Sequence, residues 1–202
     1  MTGPGRVRLF EQEWPDGEYR FFQMGYVVRD LIAAARNWAR VMGVGPFHVM
    51  PRTQGPCLYR GDPADMDIQV AVAQAGPMQV ELIQVFSPRG VFTEQTSLDS
   101  TEQAIHQLCT VTEDFDAKKR HFVDLGYEVA CEMTDPRYRV AYLDTYADFG
   151  FYVEIVENKP SFQANLARIA QRCATWDGVT DPVRLLTRRG YTTPESAVEV
   201  VD

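Results

Sequence analysis

Two glutamates stand where strand chemistry does not favour them. Glu81 lies in QVELIQ (Gln79–Gln84) and Glu154 in YVEIVE (Tyr152–Glu157), each in the middle of a strongly β-forming run. Alternation sends Val80 and Leu82 to one face and Glu81 to the other; Val153 and Ile155 oppose Glu154 in the same way. A carboxylate facing a dry core is costly. On an open face it is cheap, and in a polar cavity it can take or give a proton. Gln23, in FFQMGYVVRD (Phe21–Asp30), raises the question again with an uncharged amide. Phe22, Met24, Tyr26 and Val28 share one face of that predicted strand, and Gln23, Gly25 and Val27 the other. Taken alone, Gln23 reads as a satisfied core amide or a strand-end residue.

The elements that would position these residues repeat along the chain. QMGYVVRDLIAAARNWARVMG, from Gln23, aligns with QLCTVTEDFDAKKRHFVDLG, from Gln107. Gln23 falls on Gln107, Asp30 on Asp114, Arg36 on Arg120 and Trp38 on Phe122. Each segment reads as a strand, an acidic N-cap and a helix ending near glycine, at Gly43 and Gly126. The ends repeat too, with Glu81 falling on Glu154. The expected architecture is α+β: two βαβββ modules forming a curved mixed sheet around a cavity, with a C-terminal helix. The first module has GPFHVM, MDIQVAVAQ and MQVELIQVF as its later strands, the second YEVACEM, RVAYLDTY and FYVEIVE. The divisions are an N-terminal arm over 1–20, a first module over 21–90, a Ser/Thr/Gly-rich linker over 91–104, a second module over 105–158, and a helix and tail over 159–202. SFQANLARIAQRCATW has helical periodicity, and the stretch from Asp177 reads as irregular.

Composition narrows the function. The chain has 202 residues, 45% of them hydrophobic, enough for a substantial core. Its formal net charge of -8, with no basic stripe, argues against nucleic acid as a partner and gives no attraction to anionic lipid. No apolar run approaches a bilayer span or a secretory signal. Cys57, Cys109, Cys131 and Cys173 include no Cys-x-x-Cys pair, which suits reduced thiols and a cytoplasmic location.

With these segments in view, the chain resembles the vicinal oxygen chelate superfamily, which includes glyoxalase I, methylmalonyl-CoA epimerase, extradiol dioxygenases and the fosfomycin- and bleomycin-resistance proteins. FQMGYVVRDLIAAARNWARVMGVGPF, QVELIQ, HQLCTVTEDFDAKKRHFVDLGY and YLDTYADFGFYVEIVE carry the resemblance, and WDGVTDPVR (Trp176–Arg184) is similar to an ending seen in the glyoxalase-like branch. It implies metal ligands on the first and last strands of each module, at Gln23, Glu81, Gln107 and Glu154. Here the chain departs from its relatives: a His-His-Leu-Cys text becomes HQLC, with Gln107 at the ligand position. His106, one residue earlier, is expected on the opposite face.

Two glutamines and two glutamates make an all-oxygen set. Such a set favours Mg, Mn or Ca over a tight zinc site, with Mn, Mg, Ni, Co or Zn all open, or no metal at all. Without the two histidines of a facial triad, iron-dependent ring cleavage is disfavoured. The implied activity is metal-assisted lyase, isomerase or epimerase chemistry on a small carbonyl compound. An ion polarises the carbonyl, and Glu154 or Glu81 takes the adjacent proton. Without a metal, the facing glutamates repel and one has a raised pKa. The alternative is a metal-free protein that binds an apolar small molecule. His48, Tyr142 and Phe151 are the candidate substrate contacts, with Phe47, Met133 and Phe149 as further apolar wall or core. Lys118, Lys119 and Arg120 read as a solvated helix face, as does His121. The family's habit of pairing subunits implies a homodimer.

Overall fold

The computed structural model describes residues 20–95, 104–135 and 138–198. The first half runs β1 (Phe21–Val27), α1 (Leu31–Met42), β2 (Phe47–Val49), β3 (Thr53–Tyr59), β4 (Asp62–Ala75) and β5 (Met78–Val85). A 3-10 turn, Val91–Thr93, leads to the second half: β6 (Ala104–Thr112), α2 (Phe115–Asp124), β7 (Val129–Asp135), β8 (Tyr138–Leu143), α3 (Tyr146–Phe149) and β9 (Tyr152–Glu157). The chain ends in α4 (Pro160–Ala174), β10 (Val183–Thr187), β11 (Gly190–Thr192) and α5 (Pro194–Val198). Both main helices begin as their sequences require. Asp30 Oδ1 accepts from the Ala33 amide and Asp114 Oδ1 from the Ala117 amide, each at 2.9 Å. Gly43 closes α1 in the left-handed conformation.

One mixed sheet holds all the strands in the order β11-β10-β2-β4-β3-β7-β8-β9-β6-β1-β5, and β5 returns to pair with β4. The strands from β4 through β3, β7, β8, β9, β6 and β1 to β5 thus close a ring, and β2, β10 and β11 branch from it. Inside lie Val27, Ile83, Cys109, Tyr142, Tyr152 and Val156. Outside, α1 covers Phe47, Val80 and Leu82, and α2 covers Leu143, Val153 and Ile155. Among the described residues no helix is long and apolar enough to cross a membrane.

The registers express the repeat. In the central antiparallel pair, Gln23 faces Cys109 and Gly25 faces Gln107. In the flanking parallel pairs, Gly25 faces Glu81 and Cys109 faces Glu154. Exchanging Gln23 with Gln107, Gly25 with Cys109 and Glu81 with Glu154 maps this pattern onto itself, as a pseudo-twofold relation between the modules requires.

Several local expectations change. β3 is an additional strand in the first half, where Gly55 and Pro56 obscure the pattern. It meets β7 only at Leu58 and Tyr59, so Pro56 sits on an open edge, where its missing N–H breaks no ladder. The tail beyond Asp177 is ordered because β10 adds to β2 in parallel, a long-range pairing with no local signature. Lys118 is buried rather than solvated: with Phe115 and Phe122 it forms the face of α2 turned to the sheet. The stretch read as linker opens with Val91 and Phe92 buried in the interior cluster, while 96–103 lie outside the described residues.

At the tip between β3 and β4, Arg60 takes a left-handed conformation, φ 49°. Its guanidinium binds Glu94 just after the 3-10 turn, Asp144 after β8 and Glu128 before β7. Glu94 also accepts from Tyr59 and from Tyr152. Phe92 packs edge-on against Tyr142 and tilted against His106. Phe92→Ala is therefore expected to lower the unfolding free energy by about 3–5 kcal/mol, read from urea denaturation; a change below about 1 kcal/mol would mean this turn is not part of the core.

Candidate functional site

Glu81 and Glu154 flank the central β1–β6 pair, and the curvature of the ring turns both inward. They meet through Gln107. Its Nε2 lies 3.0 Å from Glu81 Oε2, and its amide is near enough to Glu154 to favour the charged carboxylate. Tyr142 donates to Glu154 Oε1 at 3.3 Å, and the Cys109 thiol lies beside the same carboxylate and favours its charged form. The remaining oxygen of Glu154, Oε2, is buried without a hydrogen-bond partner.

Gly25 makes this bridge possible. A β-carbon there would overlap the Gln107 amide, which lies across the glycine backbone. Gly25 is absent from the positive-φ glycines, so space rather than backbone conformation explains the residue. The symmetry partner of Gly25 is Cys109, which has a side chain. Gln23 accordingly does not cross to the opposite glutamate, and its Nε2 lies 3.4 Å from Gln79 Oε1. Of the four residues that the resemblance assigned to a metal, Glu81, Gln107 and Glu154 converge, and Gln23 stands one rung away, paired with Gln79.

His106 also enters the site, against expectation. The β1–β6 register slips between Gly25 and Tyr26, leaving His106 as the extra residue of a bulge. The bulge turns it inward with Gln107, and its ring stacks on Tyr152, with centroids 4.8 Å apart. A second slip, between Phe21 and Gln23, turns Phe22 inward instead of to the face of Met24. Sequence alternation cannot register either slip, because each inserts one residue into a period of two.

The hydrogens around His106 are constrained. Nε2 lies 3.0 Å from the Val91 carbonyl, which only accepts, so Nε2 carries a hydrogen. Nδ1 abuts the Gln107 amide. If Gln107 donates to Glu81, its carbonyl faces Nδ1, and His106 must hold a second proton. If the amide is turned over, Nε2 donates to a bare Nδ1 and the carbonyl faces a protonated Glu81. Burial lowers the pKa of His106. Burial, then the charge of Glu154, raises Glu81 to about 8. Burial also raises Glu154, to about 7, against the bonds from Cys109, Tyr142 and Gln107. Both effects favour the turned amide in the metal-free protein near neutral pH. Glu81 is only half-buried by its own surface although enclosed by protein mass, so of the two carboxylates it is the one that solvent can reach.

The other sequence candidates separate. Tyr142 belongs to the site. His48 shares the inward face, paired with Val72, which is paired in turn with Glu81. Phe151 does not: it packs under α2 with Phe21 and Tyr127, on the outer face. Phe47 is outer-face core, Phe149 is exposed, and Met133 packs against the interior. Cys109 and Gly25 gave no chemical signal in the sequence, although their position opposite the two glutamines in the repeat was available.

The donor set suits a hard divalent ion in kind: two carboxylates, one with a free buried oxygen, and an amide carbonyl. Among the described residues no three His, Cys, Asp or Glu side chains converge as a metal cluster, so the anionic donors here number two.

Residues 22–142 match the model of the Glyoxalase/Bleomycin resistance protein/Dioxygenase superfamily. The chain belongs to this superfamily. Solved structures with a similar fold include the methylmalonyl-CoA epimerase from Mycobacterium tuberculosis, 18% identical with a TM-score of 0.54, covering 78% of this chain and 99% of that one. Another is a methylmalonyl-CoA epimerase in complex with methylmalonyl-CoA and NH4+, 16% identical with a TM-score of 0.52, covering 71% and 97%. No curated protein matches the sequence.

Two measurements check the site. The native glutamates hold protons above the ordinary 4.5, so between about pH 4.5 and 8 the folded state binds more protons than the unfolded chain. Stability of the chelated protein therefore falls as pH rises through that window, and the loss is complete above it. Glu154→Gln removes one of the two charges, so its melting temperature should gain on the parent as pH goes from 5 to 9; a gap independent of pH would contradict the raised values. Gly25→Ala displaces only the flexible end of Gln107. The variant should fold, but with the amide signals of Gln107 shifted in nuclear magnetic resonance spectra and the Glu81 bridge lost.

Proposed function

We propose that this protein catalyses proton transfer at the carbon next to a carbonyl group, as an isomerase or epimerase acting on a small carbonyl compound. The observation that supports this reading most is the pair of enclosed glutamates joined by one amide, with Glu154 Oε2 free. Both carboxylates are held near the pKa that suits an acid or base at neutral pH. Glu154 is the assigned base, because its free oxygen has a lone pair committed to no other donor. Glu81, with Gln107 beside it, receives or returns the proton on the other side. The Tyr142 hydroxyl and the Cys109 thiol hold Glu154 in place, and the ring of aromatic side chains around them excludes water.

Glu81, Gln107 and Glu154 are the residues that would hold a divalent ion, with Gln23 close by. Such an ion, when bound, would supply Lewis-acid polarisation of the carbonyl oxygen. Two anionic ligands and amide oxygens predict weak, exchangeable binding with Mn or Mg preferred, in a protein that acts without nucleic acid or membrane and pairs as a homodimer.

The test is wash-in of solvent deuterium next to the carbonyl, followed by nuclear magnetic resonance across a panel of 2-substituted acyl thioesters and ketones. Glu154→Gln should slow exchange by about 10²–10⁴-fold, and Glu81→Gln by less. Full exchange by Glu154→Gln would remove the base assignment. An apolar ligand bound equally by parent and variant, with no exchange by either, would favour the binding-protein alternative.

A further inference from the structure

Beyond the glutamates, the inward face carries a second polar group, in which His48 lacks a hydrogen-bond partner. His48 has 0% exposure, and neither ring nitrogen has a hydrogen-bond partner; the Val72 backbone lies close enough to favour the charged ring without bonding it. Across the parallel β2–β10 pair, His48 faces Arg184, which thereby shares its side of the sheet. From α4, Arg172 and Arg168 also act on the ring electrostatically. Burial and then Arg172 lower the pKa of His48 to about 4, so the ring is neutral and offers one N–H donor.

Of the arginines, Arg172 is as under-partnered as the histidine, and none of the three is held by a carboxylate. Several arginines of this acidic chain hold carboxylates, as Arg52 binds Asp67, Arg60 binds Glu94 and Arg139 binds Asp116, while exposed ones such as Arg40 do not. Here none does. The half-buried Arg172 guanidinium has no hydrogen-bond or ion-pair partner among the described residues. Arg184 reaches only the backbone carbonyls of Asp181 and Thr180 and lies over the Tyr191 ring. Arg168 bonds Asn165. A group of cations and a buried donor without an acid among them leaves an anion as the missing partner.

We propose that His48, Arg172 and Arg184 form a subsite for an oxyanion, a carboxylate or phosphate carried by the molecule that reaches Glu81 and Glu154. Val72 alone separates His48 from Glu81 along the sheet, so the two groups lie two strand spacings apart, roughly 10 Å. That span suits a small acid with its carbonyl at one end and its anionic group at the other. Arg172, bound to nothing, is the side chain free to move aside and then close over the anion, with His48 as the floor. This inference rests on the reading of the glutamates as the reacting centre, and names the substrate class as anionic carbonyl compounds.

The chain has three histidines, His48, His106 and His121, so their ring signals can be followed separately by nuclear magnetic resonance. Inorganic phosphate and malonate are titrated into the full chain at pH 7. A saturable shift of the His48 signal is expected, with His121, exposed on α2, unmoved. Arg172→Met should weaken that response at least about tenfold, the size of a charge-assisted bond. A response to malonate alone assigns a carboxylate, and to phosphate alone a phosphate. A His48 signal that neither probe moves overturns the subsite, as does a response unchanged in Arg172→Met. Glu154→Gln keeps the His48 response. A protein that shifts His48 but exchanges no deuterium would retain the oxyanion subsite and lose the catalytic reading.

Discussion

Holding two carboxylates beside one another on the inner face of the sheet, one buried and one half-buried, is the constraint on which the interior is organised. Neither can be charged cheaply while the other is, and burial penalises both. The fold answers with neutral polar groups drawn from several strands: the Gln107 amide on β6 between the two, the Tyr142 hydroxyl on β8 and the Cys109 thiol on β6 beside Glu154. Among the described residues it does not add a cation to the pair. Compensation by neutral groups leaves the pair still holding protons near neutral pH, a condition that a salt bridge would have removed.

The modules share one plan, and a single missing side chain makes them unequal. The register treats Gln23 and Gln107 alike, as it does Gly25 and Cys109. Glycine on one side and cysteine on the other let only Gln107 lie down across the strand pair. A duplicated scaffold has thus become a site with two distinct glutamines, one built into the glutamate bridge and one held by Gln79.

The repeat made the framework legible. The N-caps at Asp30 and Asp114, the mid-strand glutamates and the second module's strands follow from alternation and capping, both local signals. What alternation cannot carry is an inserted residue, and so His106 and Phe22 were assigned to the wrong face. β10 was invisible for the related reason that its parallel partner β2 lies far along the chain, whereas β3 was hidden by Gly55 and Pro56 although it forms a local hairpin with β4. Phe151 misled because an aromatic beside a ligand strand lies inside or outside by one residue of phase. The convergence of Glu81 and Glu154 had a sequence signal in their matched positions. The approach of Arg172 on α4 and Arg184 on β10 to His48 had none, since an arginine far along the chain from its eventual neighbours looks like any solvated charge.

The ring is closed with unequal strength. β4 and β5 share eight paired residues, Ile68 through Ala75, whereas β3 and β7 share two, Leu58 with Glu132 and Tyr59 with Cys131. Over that narrow seam, Arg60 ties three acids by ion pairs that are partly open to solvent. Local opening is cheapest where few backbone bonds must break. The barrel therefore has a hinge line, fastened on the outside by a charge clasp that salt weakens. The wall is thus held least by backbone bonds where it is held most by charge, so ionic strength acts on its closure at this seam rather than on the central strands.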